Sequence, residues 1–378
     1  ESLGAGIEQA KLRAFARASY PVQRADYPYG PCNACGLRPA QHPEQDNRCP
    51  VCEQEHKLGG DLPRIEAFCW RTATNGRIGF FADLALDWRF DRTRPYADWL
   101  SAFRLYRGDA VDSILPLRFL AGYVPRLDKN ELEKPAYCQL LSKEAREIEP
   151  GDLKTFEHLA VDGVEEVNGE LLGETFLAVF KADVDRLGAI FAWGLPTPTL
   201  SRFAALSRML DFFFAGYLPE LLRRRFRSIY TVYAGGDDML LVGPWRQVLS
   251  MAVAMRRKFA RWTGANPNLS ISAGIELFKP QQPVGPAVGR AEERLNAAKR
   301  GGRNAVCAVV DPTLPRAHFE KELRDANHTP RQRHQALPWE HLERAILHAK
   351  RLNRYLRNGL VNAAFLYRLL HFADQRAR

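Results

Sequence analysis

Between residues 174 and 310 the chain alternates two hydrophobic periods. Four short β-prone runs, Glu174–Asp183, Ile229–Gly243, Leu269–Leu277 and Ala305–Val310, hold mostly apolar residues and predict strands. The stretches between them place apolar residues every three to four positions, which predicts helices over Leu200–Phe226, Gln247–Trp262 and Ala287–Lys299. The last helix stops at Arg300-Gly301-Gly302, where glycine provides a C-cap. Gly235-Gly236-Asp237-Asp238 interrupts the second run, so that run folds back as a hairpin whose turn tolerates positive φ. Strand, helix, hairpin, helix, strand, helix, strand is the order of an α+β, ferredoxin-like sheet, predicted here with helices on one face.

The flanks read differently. Ile7–Tyr20 has the pattern of a helix ending at Pro21. Ile65–Val124 holds strand-like runs at Ile78–Leu86 and Ile114–Leu120, a second α/β segment. Arg126–Glu149 is polar and helical in composition, the signature of a charged linker. From Pro315 onward the chain is helical and basic, with Leu342, Ile346, Leu352, Leu356, Leu360, Phe365 and Leu369 at helical spacing. That stripe predicts a module packing against a neighbouring subunit. This punctuation divides the chain into an N-terminal helical segment at 1–29, a cysteine-rich element at 30–62, an α/β segment and linker at 63–150, the ferredoxin-like domain at 151–315 and a helical domain at 316–378.

Charged chemistry gathers at the ends of predicted strands. Asp237 and Asp238 follow two glycines on a turn buttressed by apolar strands, and Asp183 closes another strand. If the strands are neighbours, three carboxylates meet; such a cluster is costly without cations and suits hard divalent ions, Mg²⁺ or Mn²⁺. Gly235 and Gly236 lack side chains, so a phosphate can approach the backbone closely. Lys299 and Arg303 stand four residues apart at a helix end, within reach of one polyphosphate. Asp185 reads as a structural carboxylate or one that supports the cation-binding acids from behind. Taken singly these are an ordinary turn and solvated surface charges; together and in order they point to phosphoryl or nucleotidyl transfer.

Cys32-Asn-Ala-Cys35 and Cys49-Pro-Val-Cys52 are two CxxC knuckles thirteen residues apart. Thiolates at i and i+3 hold one side of a tetrahedral Zn²⁺ and a second pair closes the site, so a structural zinc is predicted. Disulfides are the rival, disfavoured by the absence of a secretory signal pattern. Cys69, Cys138 and Cys307 read as buried small hydrophobes. With 378 residues, 46% of them hydrophobic, the chain can bury two or three cores. No run approaches the length of a membrane span, which predicts a cytoplasmic protein with no membrane partner. A formal net charge of +10 favours a polyanionic partner.

The strand ending in Asp183, the GGDD hairpin, Ser270-Ile-Ser-Ala-Gly-Ile275 and Ala298-Lys-Arg-Gly-Gly-Arg-Asn304 are similar to the skeleton of the GGDEF/cyclase palm domain. With Lys181-Ala-Asp-Val-Asp-Arg-Leu-Gly188 and Gly236-Asp-Asp-Met-Leu-Leu-Val-Gly-Pro-Trp245, the chain resembles the large signature subunit of type III CRISPR effector complexes, best the Csm (III-A) type. Thr155–Ala160 ahead of the palm and Leu206–Phe214 within it fit the same subunit, and the likeness runs from about residue 30 to 310.

The resemblance implies that Asp183, Asp237 and Asp238 hold Mg²⁺ or Mn²⁺ and that ATP is the substrate. Pyrophosphate would then be met by Lys299, Arg303 and backbone N–H groups around Leu187-Gly188. It implies a product, cyclic oligoadenylate, made when target RNA is bound, and as partners the other type III subunits, CRISPR RNA and target RNA. Ser207 is a candidate for reading adenine, against an ordinary helix-surface serine. A zinc element lies between two palms in this family; the first palm is expected in a preceding region or a separate chain. No His-Asp dipeptide occurs, so the HD nuclease of many members is not in this sequence. Two other readings stay open. One is a GGDEF-like signalling cyclase using GTP, disfavoured by Asp-Asp in place of Glu-Phe. The other is a catalytically silent scaffold that binds RNA.

Overall fold

In a computed structural model the chain is described at residues 26–42, 47–72, 76–80, 84–90, 100–106, 115–167, 169–195, 197–308, 336–362, 364–365 and 368. The helix read at Ile7–Tyr20, and Ile114 and Leu369, lie outside these residues. The chain divides into two compact units, residues 1–122 with 188–203, and 123–187 with 204–378.

In the first unit, helix α1 (Pro50–Asp61) precedes a sheet of β1 (Ala67–Arg71), β2 (Ile78–Phe80), β3 (Leu84–Arg89), β4 (Ser101–Tyr106) and β5 (Leu117–Phe119), in the order β2-β3-β1-β4-β5. The run read as one strand at 78–86 is therefore two, antiparallel, with Ile78 opposite Leu86. A period of two continues unchanged through a reversal because both arms turn apolar residues to the same core, here Ile65, Phe68, Trp88 and Leu105. Buried Asp87 is held by Arg71 and Arg77, each at 3.0 Å.

The second unit opens with α2 (Pro135–Leu140), α3 (Lys143–Arg146) and α4 (Phe156–Val161). The stretch read as a linker is not one. Leu127, Ala136, Tyr137, Leu141 and Ala145 share a core with Val161, and buried Lys154 bridges Glu131 at 2.8 Å and Asp162 at 2.7 Å. Polar composition misled here because these charges pair inward. Cys138, expected buried, is exposed; six-residue α2 turns Ala136 and Tyr137 inward and leaves its neighbour outside.

After the hairpin β6 (Glu165–Val167) and β7 (Glu170–Leu172) come β8 (Leu177–Val184), then α5 (Leu187–Trp193) and α6 (Leu200–Asp211), of which residues 188–203 belong to the first unit, and then α7 (Leu218–Arg225), β9 (Tyr230–Gly235), β10 (Asp238–Pro244), α8 (Trp245–Trp262), β11 (Ile271–Phe278), α9 (Val284–Arg300), β12 (Ala305–Ala308), β13 (Leu337–Pro338) and α10 (Trp339–Arg357). The sheet order is β13-β12-β11-β8-β10-β9. Strands β11-β8-β10-β9, counted along the chain, stand 4-1-3-2 with antiparallel neighbours, the ferredoxin-like arrangement predicted.

Helices cover both faces rather than one. Ala178, Phe180, Ala182, Met239 and Leu241 meet α8 and the α6–α7 region, while Leu177, Val179, Leu240 and Val242 meet α4 and α9. β11 is buried at every position, polar Ser272 and Glu276 included, so its pattern does not alternate. Between α6 and α7 the helix widens to a π turn at Phe212–Tyr217, which seats Phe213 and Phe214 against Phe259. α10 begins on the chain's own core: Trp339 and Leu342 are buried in it, and the Trp339 indole N–H donates to the Ile271 carbonyl at 2.9 Å. Leu360 and Phe365, farther along the predicted stripe, are exposed.

Candidate active site and metal centre

Strand register builds the carboxylate site. On β8, Asp183 is paired with Asp238 of β10 on one side and with Ser272 of β11 on the other. The hairpin turn is Gly236-Asp237, with positive φ at Gly236 alone, the requirement of a two-residue turn with glycine first. The Asp237 carbonyl accepts the Val184 N–H at 2.8 Å, which clamps the tip to the end of β8. Asp183, Asp237 and Asp238 are thus adjacent, on two backbone segments fixed by the sheet.

Each side chain has a local holder. The Lys299 ammonium lies 2.9 Å from Asp183 Oδ2, and the Tyr233 hydroxyl donates to Asp238 Oδ2 at 3.1 Å. Burial pushes the Asp183 carboxyl above the usual range; Lys299 opposes this, and the charges of Asp237 and Asp238 push the same way as burial. Burial and the Asp238 charge likewise push the Tyr233 phenol up, keeping it a donor. The Lys181 ammonium pairs with Glu292 of α9 and lies beside the Tyr233 hydroxyl. Burial pulls its titration down, and these two partners more than offset it.

Asp185 is buried and structural, as read. It accepts Ser270 Oγ at 2.7 Å, Ser272 Oγ at 2.6 Å and the Asn304 N–H at 2.9 Å. Around it Arg186, Arg303 and Asn304 all have positive φ, so this carboxylate fastens a strained loop. Lys299 and Arg303 are not on one helix: α9 ends at Arg300 and Gly301-Gly302 carries the chain round to exposed Arg303. Gly235 ends β9. Gly188 is the second residue of α5 and belongs to the first unit. Ser207 is exposed on α6.

The donor set, carboxylate oxygens on rigid strands, has the chemistry that hard divalent cations take. Among the described residues the three carboxylates do not bring their oxygens within 4.8 Å of one another; only the four cysteines do so. Asp183 is turned to Lys299 and Asp238 to Tyr233, which accounts for the difference.

Cys32, Cys35, Cys49 and Cys52 form that second cluster, in the first unit. Gly36, at φ 66°, turns the first knuckle and donates its N–H to the Cys32 carbonyl at 2.8 Å. Cys49 caps α1 while its own N–H donates to Cys32 Sγ at 3.2 Å. Burial opposes ionising Cys32, yet the backbone N–H groups of Cys35, Cys49 and Ala34 bring its thiol down to about 6. Cys52 goes the other way, pushed up to about 12 by its bond to Cys49 and by burial. Four crowded sulfurs of this kind could hold one tetrahedral cation.

Sequence reasoning passed over Lys181, Tyr233 and Glu292. One signal was available: Lys181 is the lone charge inside the apolar run 177–182, two residues before Asp183 and so on the same strand face.

A palm sheet with carboxylates at adjoining strand ends defines the class, and residues 176–307 match the Cas10/Cmr2 second palm domain. Over 304 residues, 74% of this chain and 35% of the relative, the sequence is 30% identical to the CRISPR system single-strand-specific deoxyribonuclease Cas10/Csm1 (subtype III-A) of Thermococcus onnurineus. The Methanocaldococcus jannaschii protein of the same name is 40% identical over 153 residues, 37% of this chain and 19% of that one. Among solved structures, an apo Csm1–Csm4 cassette aligns with TM-score 0.54 at 25% identity, covering 78% of this chain and 37% of the other. The T. onnurineus Csm1 structure gives 0.52 at 27%, covering 76% and 36%. A Csm1–Csm4 cassette in complex with one ATP gives 0.52 at 25%, covering 82% and 44%. Residues 176–307 thus match a Cas10/Cmr2 second palm, and over the part that it spans the chain is similar to the Cas10/Csm1 proteins of type III-A CRISPR systems. It spans about a third of the length of the first of these relatives. Among the described residues no helix is long and apolar enough to cross a membrane.

Proposed function

We propose that this chain carries the catalytic palm of a type III-A large subunit and joins ATP into cyclic oligoadenylate when the surrounding complex has bound target RNA. The observation that carries the reading is the pairing of Asp183 with Asp238 beside Asp237, with Lys299 at 2.9 Å from the same carboxylate cluster. A relative of the same fold was solved with one ATP.

Asp183, Asp237 and Asp238 would hold Mg²⁺ or Mn²⁺. When bound, such a cation polarises a phosphoryl oxygen and makes a hydroxyl a better nucleophile at neutral pH. The chain's own residues do the rest. Lys299 and Arg303 would meet the charge of a departing pyrophosphate. Gly235 and Gly236 leave the hairpin backbone open to phosphate, and Asp185 fixes the loop that presents Arg303. Cys32, Cys35, Cys49 and Cys52 would hold a structural Zn²⁺ with no position left open for chemistry. Partners follow from the family: a Csm4-type subunit, other type III subunits, CRISPR RNA and target RNA, with the first palm supplied by a preceding region or another chain. Soluble, cytoplasmic residence accords with this assembly.

The test places the chain in the assembled complex with target RNA, labelled ATP or GTP, and Mg²⁺ or Mn²⁺, and resolves the products. Cyclic oligoadenylate from ATP, abolished by Asp237→Ala with Asp238→Ala, is the expected result. Unchanged product from the double variant overturns the roles. Turnover of GTP instead favours a signalling cyclase, and no turnover of either nucleotide favours a silent scaffold.

A further inference from the structure

On one face of the palm sheet, Lys181 of β8, Tyr233 of β9 and Asp238 of β10 stand in a row, and Glu292 of α9 closes it. Lys181 and Tyr233 are both register partners of Leu240, one on each side. Tyr233 reaches past that leucine to donate to Asp238 Oδ2 at 3.1 Å. Lys181 is mostly buried, which is unfavourable for an ammonium unless its charge is paired and used. Its pairing with Glu292 fixes the ammonium beside the Tyr233 hydroxyl. The ladder runs unbroken from the two-residue turn through Asp238–Gly235, Met239–Ala234 and Leu240–Tyr233, which sets the register that lets Tyr233 and Asp238 meet; the β-bulge comes only beyond, between Leu240 and Leu241.

We infer that Tyr233 is a positioning residue for the cation-binding carboxylate Asp238, and that Lys181, anchored by Glu292, is what holds Tyr233 in place. The inference rests on the reading of Asp183, Asp237 and Asp238 as divalent-cation ligands. A hydroxyl pinned to one carboxylate oxygen fixes the side-chain rotamer and leaves the other oxygen for the cation. Such supporting hydrogen bonds typically account for 10–100-fold in metal affinity. Lys299 performs the equivalent service for Asp183, so α9 reaches both carboxylates, directly at one and through Lys181 and Tyr233 at the other.

The test titrates Mn²⁺ into the full zinc-loaded chain, without nucleotide, and follows free Mn²⁺ by electron paramagnetic resonance, with melting temperature measured on every variant. Tyr233→Phe is expected to weaken Mn²⁺ binding tenfold or more while leaving the melting temperature unchanged. Lys181→Met should give a similar loss, and the double variant little beyond either single one, since all act along one chain of contacts. In turnover by the assembled complex, Tyr233→Phe should lower kcat and leave the KM for ATP in place. If Lys181→Met does not fold, Glu292→Gln tests the same link. Mn²⁺ binding by Tyr233→Phe equal to the parent's, with Asp238→Asn weakened, overturns the inference alone. Parental binding by Asp238→Asn as well overturns the cation reading beneath it.

Discussion

Replacing Asp185 with alanine tests whether one buried carboxylate holds the palm's active end together. Asp185 is 2% exposed and accepts three hydrogen bonds, from Ser270, Ser272 and the Asn304 backbone. Hydrogen bonds to a charged group contribute about 1.5–3 kcal/mol each, and they are not additive. Alanine also removes the cost of burying the charge, and both serine hydroxyls can turn elsewhere. The Asn304 N–H is fixed in direction, so it forfeits its bond to the charged acceptor, although this exposed residue can turn to water instead. The net expectation is a loss of about 3–4 kcal/mol, near the range for breaking a buried charged network.

For a unit of this size each kcal/mol moves the melting temperature by about 2–4 °C, so the palm transition should fall by roughly 6–16 °C. Asp185→Asn keeps one acceptor oxygen and should lose less than half as much. Because Arg186, Arg303 and Asn304 are held at positive φ around this side chain, the loop should also relax. Hydrogen exchange at residues 301–304 should rise, and ATP affinity should fall, with the hairpin tip unaffected. The measurements are thermal and urea unfolding of the full chain, exchange mass spectrometry and nucleotide titration. If Asp185→Ala melts within about 1 kcal/mol of the parent and holds ATP equally well, Asp185 does not organise the loop and the reasoning is refuted.

Two further outcomes follow from the geometry. A Cβ at Gly274 would stand 2.1 Å from the Ala291 carbonyl oxygen and 2.5 Å from the Leu295 nitrogen, so Gly274→Ala must drive α9 off β11. Overpacking against backbone should cost about 3 kcal/mol and reduce ATP binding through Lys299; a variant with parental melting temperature and nucleotide affinity contradicts the close approach. Metal analysis of the purified chain should find one zinc, and Cys49→Ser, which removes a thiolate ligand while a serine hydroxyl can still cap α1, should lose it and expose residues 26–62 to proteolysis. Retention of the zinc by that variant argues against the four-cysteine site.

What could be read beforehand was what punctuation records. Glycines beside acids marked the hairpin, apolar runs marked the strands, and paired CxxC spacing marked the cysteine cluster. What escaped depended on facing. The largely apolar, non-alternating runs of β8 and β11 carried the sign of burial on both sides, but sequence order alone suggested a sheet covered on one. At 78–86 alternation passed through a turn without changing phase, so two strands read as one. In Arg126–Glu149, Glu131 pairs with Lys134 and with buried Lys154 beyond the stretch, while Leu127, Ala136, Tyr137, Leu141 and Ala145 build a core that polar composition concealed. Lys181, Tyr233 and Glu292 could not be joined without knowing which strands are neighbours and how α9 lies on them.

Helix α9 shows why the site depends on packing far from its charges. Ala287 and Ala291 are fully buried, and Gly274 lets the helix backbone sit directly on β11. Small residues bring helix and sheet close, and the polar residues of the same helix then have fixed reach. Arg290 and Arg294 meet Glu276 at 2.6 and 2.7 Å, Glu292 meets Lys181, and Lys299 meets Asp183. Moving α9 outward by one methyl's width would therefore disturb both carboxylate holders at once, although none of the atoms displaced first is polar. The acids at the strand ends supply the charge; the alanine and glycine contacts beneath α9 decide where that charge points.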